Sequence, residues 1–215
     1  MLYQVEANRV ITKIEDYDKK RCKIYIDEEF SFLLYKGELA EYKIKQGISI
    51  TKEIYDTIRG EVLPKRAKKR CLNLLQKKNY TEYKLREKLK EGLYSREIED
   101  EAIAYVKSFH YIDDYRYACD YIFYHKNGES KKKIEGKLKA KGIEQDILLR
   151  AFADSYEDGE EQIIELEQAY KLLQKKHFDS KKMDWKEKQK IYAFLMRKGI
   201  SSSVIKKAMT SQNIR

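Results

Sequence analysis

The chain has 215 residues, 38% of them charged, and a formal net charge of +10 at pH 7. With 9 Gly and 1 Pro it lacks the turn residues of a loop-rich all-β sandwich or barrel, and no run approaches the roughly 18 apolar residues of a membrane span. Residues 1–6 show no basic-then-apolar leader pattern, so the expectation is a cytoplasmic protein without membrane contact, built as one domain or two small ones.

Residues 9–15 are rich in β-branched side chains. Residues 21–27 alternate, with Cys22, Ile24 and Ile26 on one face; Phe30, Phe32 and Leu34 alternate in the next run. The polar links at 16–20 and 27–29 read as turns, which predicts a three-stranded meander. Such a meander is stable only with its apolar face covered, and a short helix over 37–44 is placed to help. Thr51 is suited to cap a following helix, with Ile50 and Tyr55 at the two positions of a hydrophobic staple. Pro64, tolerated best in the first turn of a helix, marks a boundary.

Beyond Pro64 a helical pattern repeats. Leu85-x3-Leu89, Gly92-Leu93 and Ile98-x3-Ala102-Ile103 match Ile134-x3-Leu138, Gly142-Ile143 and Ile147-x3-Ala151-Phe152. Both match Ile191-x3-Leu195, Gly199-Ile200 and Val204-x3-Ala208-Met209. Each i, i+4 pair is one apolar stripe, and the glycine ends its helix in the left-handed conformation. An earlier helix recurs too: Cys71, Leu74 and Leu75 align with Cys119, Ile122 and Phe123, and with Ala169, Leu172 and Leu173, a small-residue packing position. The third copy carries an insertion over 177–184. The expected architecture is mostly α: a β-rich N-terminal domain (1–63) followed by three tandem three-helix repeats (64–114, 115–158, 159–215). Small helical units in series suggest an elongated, curved chain that suits a long partner.

No phosphate loop, GxSxG or HExxH is present. The three cysteines are far apart and form no CxxC; His110, His125 and His177 have no ligand spacing, so no metal, cofactor or catalytic centre is expected. Asp113 or Asp114 is read as the N-cap of the next helix. Tyr105, Tyr117 and Tyr121 fall on apolar stripes. Tyr80, Tyr83 and Tyr94, near helix ends, are candidate contact residues, and an exposed Trp185 would anchor a partner. The charge is uneven. Residues 64–142 hold 21 Lys+Arg against 12 Asp+Glu, while 1–63 hold 11 against 12 and 143–215 hold 14 against 12. A basic middle suits a polyanion or an acidic protein surface.

The segment Phe109-His110-Tyr111-Ile112-Asp113-Asp114-Tyr115-Arg116-Tyr117-Ala118 resembles the hallmark stretch of the RecX family. Lys141-Gly142-Ile143, Lys198-Gly199-Ile200 and Thr81-Glu82-Tyr83-Lys84-Leu85-Arg86-Glu87-Lys88-Leu89 are similar to further family motifs. The likeness covers about 65–210. It departs at Lys131-Lys132-Lys133 and Gly136, where the family often has Gly-x-x-x-Ile, with Gly128 earlier and a shorter loop. The resemblance implies a modulator of RecA recombinase that binds the RecA–single-stranded DNA filament; the missing catalytic motifs predict no enzyme, and a monomer is expected because the repeats already supply multivalency. The resemblance also implies restraint of filament growth, ATP hydrolysis, strand exchange and coprotease activity in DNA repair. Basic residues off the apolar stripes are the candidate contacts: Arg66, Lys69, Arg70, Lys84, Arg86 and Lys88 in the first repeat. In the second they are Lys131, Lys132, Lys133, Lys137, Lys139 and Lys141. The alternative is an autonomous DNA-binding helical module that needs no protein partner.

Overall fold

The computed structural model describes residues 9–211, so the leader expectation for 1–6 lies outside the described residues. Two compact units divide the chain, the first ending at Ile112 and the second beginning at Asp113.

In the first unit, strands β1 (Arg9–Asp16), β2 (Arg21–Ile26) and β3 (Glu29–Tyr35) form the expected meander. A fourth strand, β4 (Ser49–Ile50), joins the free edge of β1 and completes the order β3-β2-β1-β4. Two residues are too short to show alternation, which is why the sequence pattern gave three strands. Cys22, Ile24 and Ile26 share the buried face as expected, but Phe30 does not join Phe32 and Leu34. The register steps from Ile24↔Phe32 to Tyr25↔Phe30, leaving Ser31 as an extra residue. That bulge turns Phe30 outward, where it meets the Tyr25 ring edge-on at 5.9 Å. The β2–β3 turn places Asp27 and Glu28 at positive φ, as two-residue hairpins require. Asp27 Oδ1 and Thr12 Oγ1 hold it by accepting from the N–H groups of Val10 and Glu28, each at 3.0 Å.

Helix α1 (Lys36–Glu41) follows the sheet. Thr51 caps α2 (Lys52–Thr57), accepting from the Ile54 N–H. Pro64 falls in the first turn of α3 (Leu63–Leu75), yet the residues before it are helical too. A widened turn over Ile58–Val62 joins α2 to α3, with the Leu63 N–H donating to the Ile58 carbonyl five residues back. A proline inside a helix clashes with the carbonyl four residues earlier, and the wide turn relieves that clash. The boundary expected at Pro64 therefore lies within a continuous helical run. Ala67 and Cys71 of α3 share one core with Ile11, Ile24, Phe32 and Leu34 of the sheet. Leu85 and Leu89 of α4 (Glu82–Lys90) and Ala102, Ile103 and Val106 of α5 (Arg96–Ser108) complete it.

The second unit has two clusters. The first lies among α6 (Asp114–His125), α7 (Lys131–Lys139) and α8 (Gln145–Ser155). The other lies among α9 (Glu160–Lys175), α10 (Trp185–Arg197) and α11 (Ser202–Thr210). Asp113 caps α6, accepting from the Arg116 N–H at 3.0 Å. The small-residue alignment needs a correction by one position. Ala118, not Cys119, is the buried small residue of α6, paired with Ile122, while Phe123 points outward at 65% exposure. Side-chain to backbone bonds tie the two clusters together: Ser130 Oγ donates to the Lys198 carbonyl at 2.7 Å, and Gln168 Nε2 donates to the carbonyls of Lys126 and Glu129.

The helix-ending turns recur more widely than the glycines do. Lys43, Leu93, His110, Gly142, His177 and Gly199 all adopt positive φ. The apolar residue after Lys43, His110, Gly142, His177 and Gly199 donates its N–H to the carbonyl five residues earlier, as in Ile143 to Leu138 and Phe178 to Leu173. In the first repeat Leu93, not Gly92, takes the left-handed position. Gly92 is required there for another reason: a Cβ on it would collide with the Tyr94 ring.

Candidate partner-binding surface

Five of the six second-repeat cations lie on α7, whose Ile134 and Leu138 face the core four residues apart, and Lys141 lies in the turn that follows it. That spacing leaves the lysines on either side of the pair, and Lys137 between them, off the core-facing stripe. Lys131 pairs with Glu161 at 2.7 Å, Lys133 and Lys137 share Glu129 at 3.6 and 2.6 Å, and Lys139 pairs with Glu135 at 2.6 Å. Lys141 Nζ lies 5.7 and 5.6 Å from the Tyr117 and Tyr121 ring centroids. Lys132 is exposed and has no ion pair among the described residues. The lysine ion pairs here draw on three carboxylates, so α7 keeps a positive surplus. The hydrogen bond with Lys137 holds the Glu129 carboxyl below its ordinary value and raises the Lys137 ammonium above its own. Such part-exposed pairs are worth about 0–1 kcal/mol each, so a phosphate or carboxylate of a partner can exchange into them.

The first-repeat cations are more deeply committed. Arg66 pairs with Glu38, donates to the Leu33 carbonyl at 3.0 Å and lies over the Tyr35 ring, so it links α3 to the sheet. Arg70 donates to the Lys88 carbonyl at 2.9 Å and pairs with Glu91. Lys84 pairs with Glu87, and Lys88 with Glu91. Arg86 bridges Glu82 and Asp100. Burial opposes the Arg86 charge, but its bonds to Glu82 and Asp100 outweigh that and raise its pKa. Lys69 is exposed with no ion pair among the described residues. The twelve cations thus fall into two sets, one on α3–α4 in the first unit and one on α7 and the turn after it in the second.

Among the aromatic candidates, Tyr83 is exposed, whereas Tyr80 and Tyr94 pack against the core. Trp185, at the first position of α10, is 69% exposed. Phe123 and Tyr124 form an exposed edge-on pair on α6 that the sequence reading missed. Placing the apolar stripe at Ala118 and Ile122 would have found it, because 123 and 124 then lie off the stripe. Among the described residues no group of His, Cys, Asp and Glu is arranged to hold a metal ion, and no helix is long and apolar enough to cross a membrane.

Several known proteins are similar to this chain. The family model of the third three-helix domain of RecX matches residues 164–209. The regulatory protein RecX of Clostridium acetobutylicum is 31% identical, over 91% of this chain and 92% of its own. That of Finegoldia magna is 33% identical, over 92% and 97%. A crystal structure of a regulatory protein RecX superposes with a TM-score of 0.63 at 24% identity, covering 94% of this chain and 100% of the other. The RecX of Lactobacillus salivarius superposes at 0.59, covering 69% and 95%.

Proposed function

The chain belongs to the RecX family of regulatory proteins, and from that premise we propose that it binds the RecA–single-stranded DNA filament and restrains it. Filament growth, ATP hydrolysis, strand exchange and coprotease activity fall together when the filament is shortened or capped. The observation that carries this reading is the positive surplus of α7, set on a helical repeat whose chain carries two further repeats. Several weak contacts on one chain act at a high effective concentration, of order mM for short links, once the first has formed. The chain works in this reading by binding rather than by chemistry.

The test is binding of the labelled full chain to preformed RecA–single-stranded DNA filaments, with bare DNA and free RecA as parallel arms. The expected result is a clear preference for the filament, with a parallel fall in RecA ATPase rate. Equal or tighter binding to bare DNA would instead favour an autonomous DNA-binding module and overturn the filament reading. Lys132→Glu leaves every α7 ion pair in place, and the filament affinity should drop by about three- to tenfold, the scale of one phosphate or carboxylate contact.

A further inference from the structure

A cavity of about 420 Å³ in the first unit opens among the β2–β3 edge, one face of α3 and the turn between α4 and α5. Small-molecule sites span roughly 300–1,000 Å³. Five lining residues are cations, Arg21, Arg66, Lys69, Arg70 and Lys77, and no carboxylate lines it. Arg66, Lys69, Arg70 and Asn73 follow the i, i+3, i+4, i+7 spacing of a single helix face. Their stripe runs roughly 10 Å along α3, enough for two or three linked phosphoryl groups and longer than one needs.

The arginines are held in advance. Arg21 pairs with Asp18 at 2.7 Å, Arg66 with Glu38, and Arg70 with Glu91 at 3.3 Å, and none of these carboxylates lines the cavity. A guanidinium has five N–H donors, so each arginine keeps donors beyond those its partners use, and their order need not be bought from ligand affinity. Lys69 and Lys77 make no ion pair among the described residues. Burial pushes the Tyr94 phenol up, while Arg66, Arg70 and Arg21 pull it down, so three guanidinium charges converge on one aromatic residue. Tyr35 and Tyr94 add ring surface, and Asn73 adds an amide that can both donate and accept.

We propose that this cavity binds a nucleoside di- or triphosphate, its phosphates on Lys69, Lys77 and the arginines and its base against the tyrosines. Walls from three elements bound the cavity, a shape that suits a compact ligand over a passing strand. The assignment is of binding alone.

The experiment is calorimetric titration of the full chain, in EDTA, with ADP, ATP, adenosine and a twelve-nucleotide oligo-dT. Saturable binding of ADP or ATP is expected, with none for adenosine. Lys69→Glu/Lys77→Glu should weaken binding at least about tenfold, the scale of one lost charge-assisted contact. Unchanged melting of the variant shows that it folds; if it does not, Lys77→Ala, beyond the end of α3, replaces it with the same expected direction. The proposal is overturned if neither nucleotide binds saturably, if adenosine binds as well as ATP, or if the variant binds as tightly as the parent. Oligo-dT binding lost in the variant while neither nucleotide binds would reassign the cavity to a strand. Since the assay contains no recombinase, its outcome is separate from that of the filament reading.

Discussion

Gly199 sits at φ +90°, and the Ser130 side chain occupies the space its Cβ would need. Gly47 has a similar φ of +81° with nothing within 4 Å of that position. Gly47→Ala should cost only the backbone strain, about 1–2 kcal/mol, and Gly199→Ala should cost more because Ser130 must also move and its bond to Lys198 is disturbed. Urea denaturation of the two variants measures the difference; equal losses would mean that Ser130 yields freely. Glu99 is buried on α5, and that burial holds its carboxyl above the usual 4.5, against the opposing pull of Lys90 and Arg86. Its charged form therefore opposes folding. The stabilisation is complete below the unfolded value and is lost as pH rises through the folded one. Glu99→Gln should melt higher than the parent at pH 7, with the gain vanishing as pH falls below 4.5. An identical melting temperature at pH 7 would contradict this. Burial also pushes the Cys71 thiol up to about 11 and raises Cys22, whereas Cys119 is only half-buried. A thiol reagent on the native protein should modify Cys119 first, as peptide mapping would show.

Helix ends set much of the element architecture. Thr81 is buried and caps α4 by accepting from the Lys84 N–H at 3.3 Å. Thr81→Ala should destabilise the first unit by about 1 kcal/mol, read from the shift in its denaturation midpoint. The caps at Thr51 and Asp113 were legible because oxygen-bearing side chains before an apolar run have one dominant use. So were the Gly142 and Gly199 turns, where residue type declares the backbone. His177 and Lys43 make the same turn without that declaration, held at positive φ where the following Phe178 and Ile44 are buried, and His110 makes it before an exposed Tyr111. Strand alternation disclosed the buried face of β2, but a bulge is one residue of slack that depends on the partner strand. Phe30 was therefore assigned to the wrong face.

At the scale of the whole molecule, charge separates what sequence shows from what it hides. The basic excess of residues 64–142 is plain by counting. Which cations it leaves uncommitted is not, because Glu161 reaches Lys131 and Glu38 reaches Arg66 only through the tertiary fold. If α7 meets phosphates, log affinity should fall with log salt by about 0.7 per phosphate on a single strand, and Lys132→Glu should flatten that slope by about one such step. A slope unchanged by Lys132→Glu would place α7 against protein instead of nucleic acid.

The continuous helical run from α2 through the wide turn into α3 has a mechanical consequence. With no hinge at Pro64 and a shared core beneath it, the sheet cannot swivel independently of the first helical repeat. The sheet is therefore a pointer: a dye fixed rigidly to its exposed face turns with α3. Polarised emission from such a dye would report the angle at which the first repeat lies on an aligned partner.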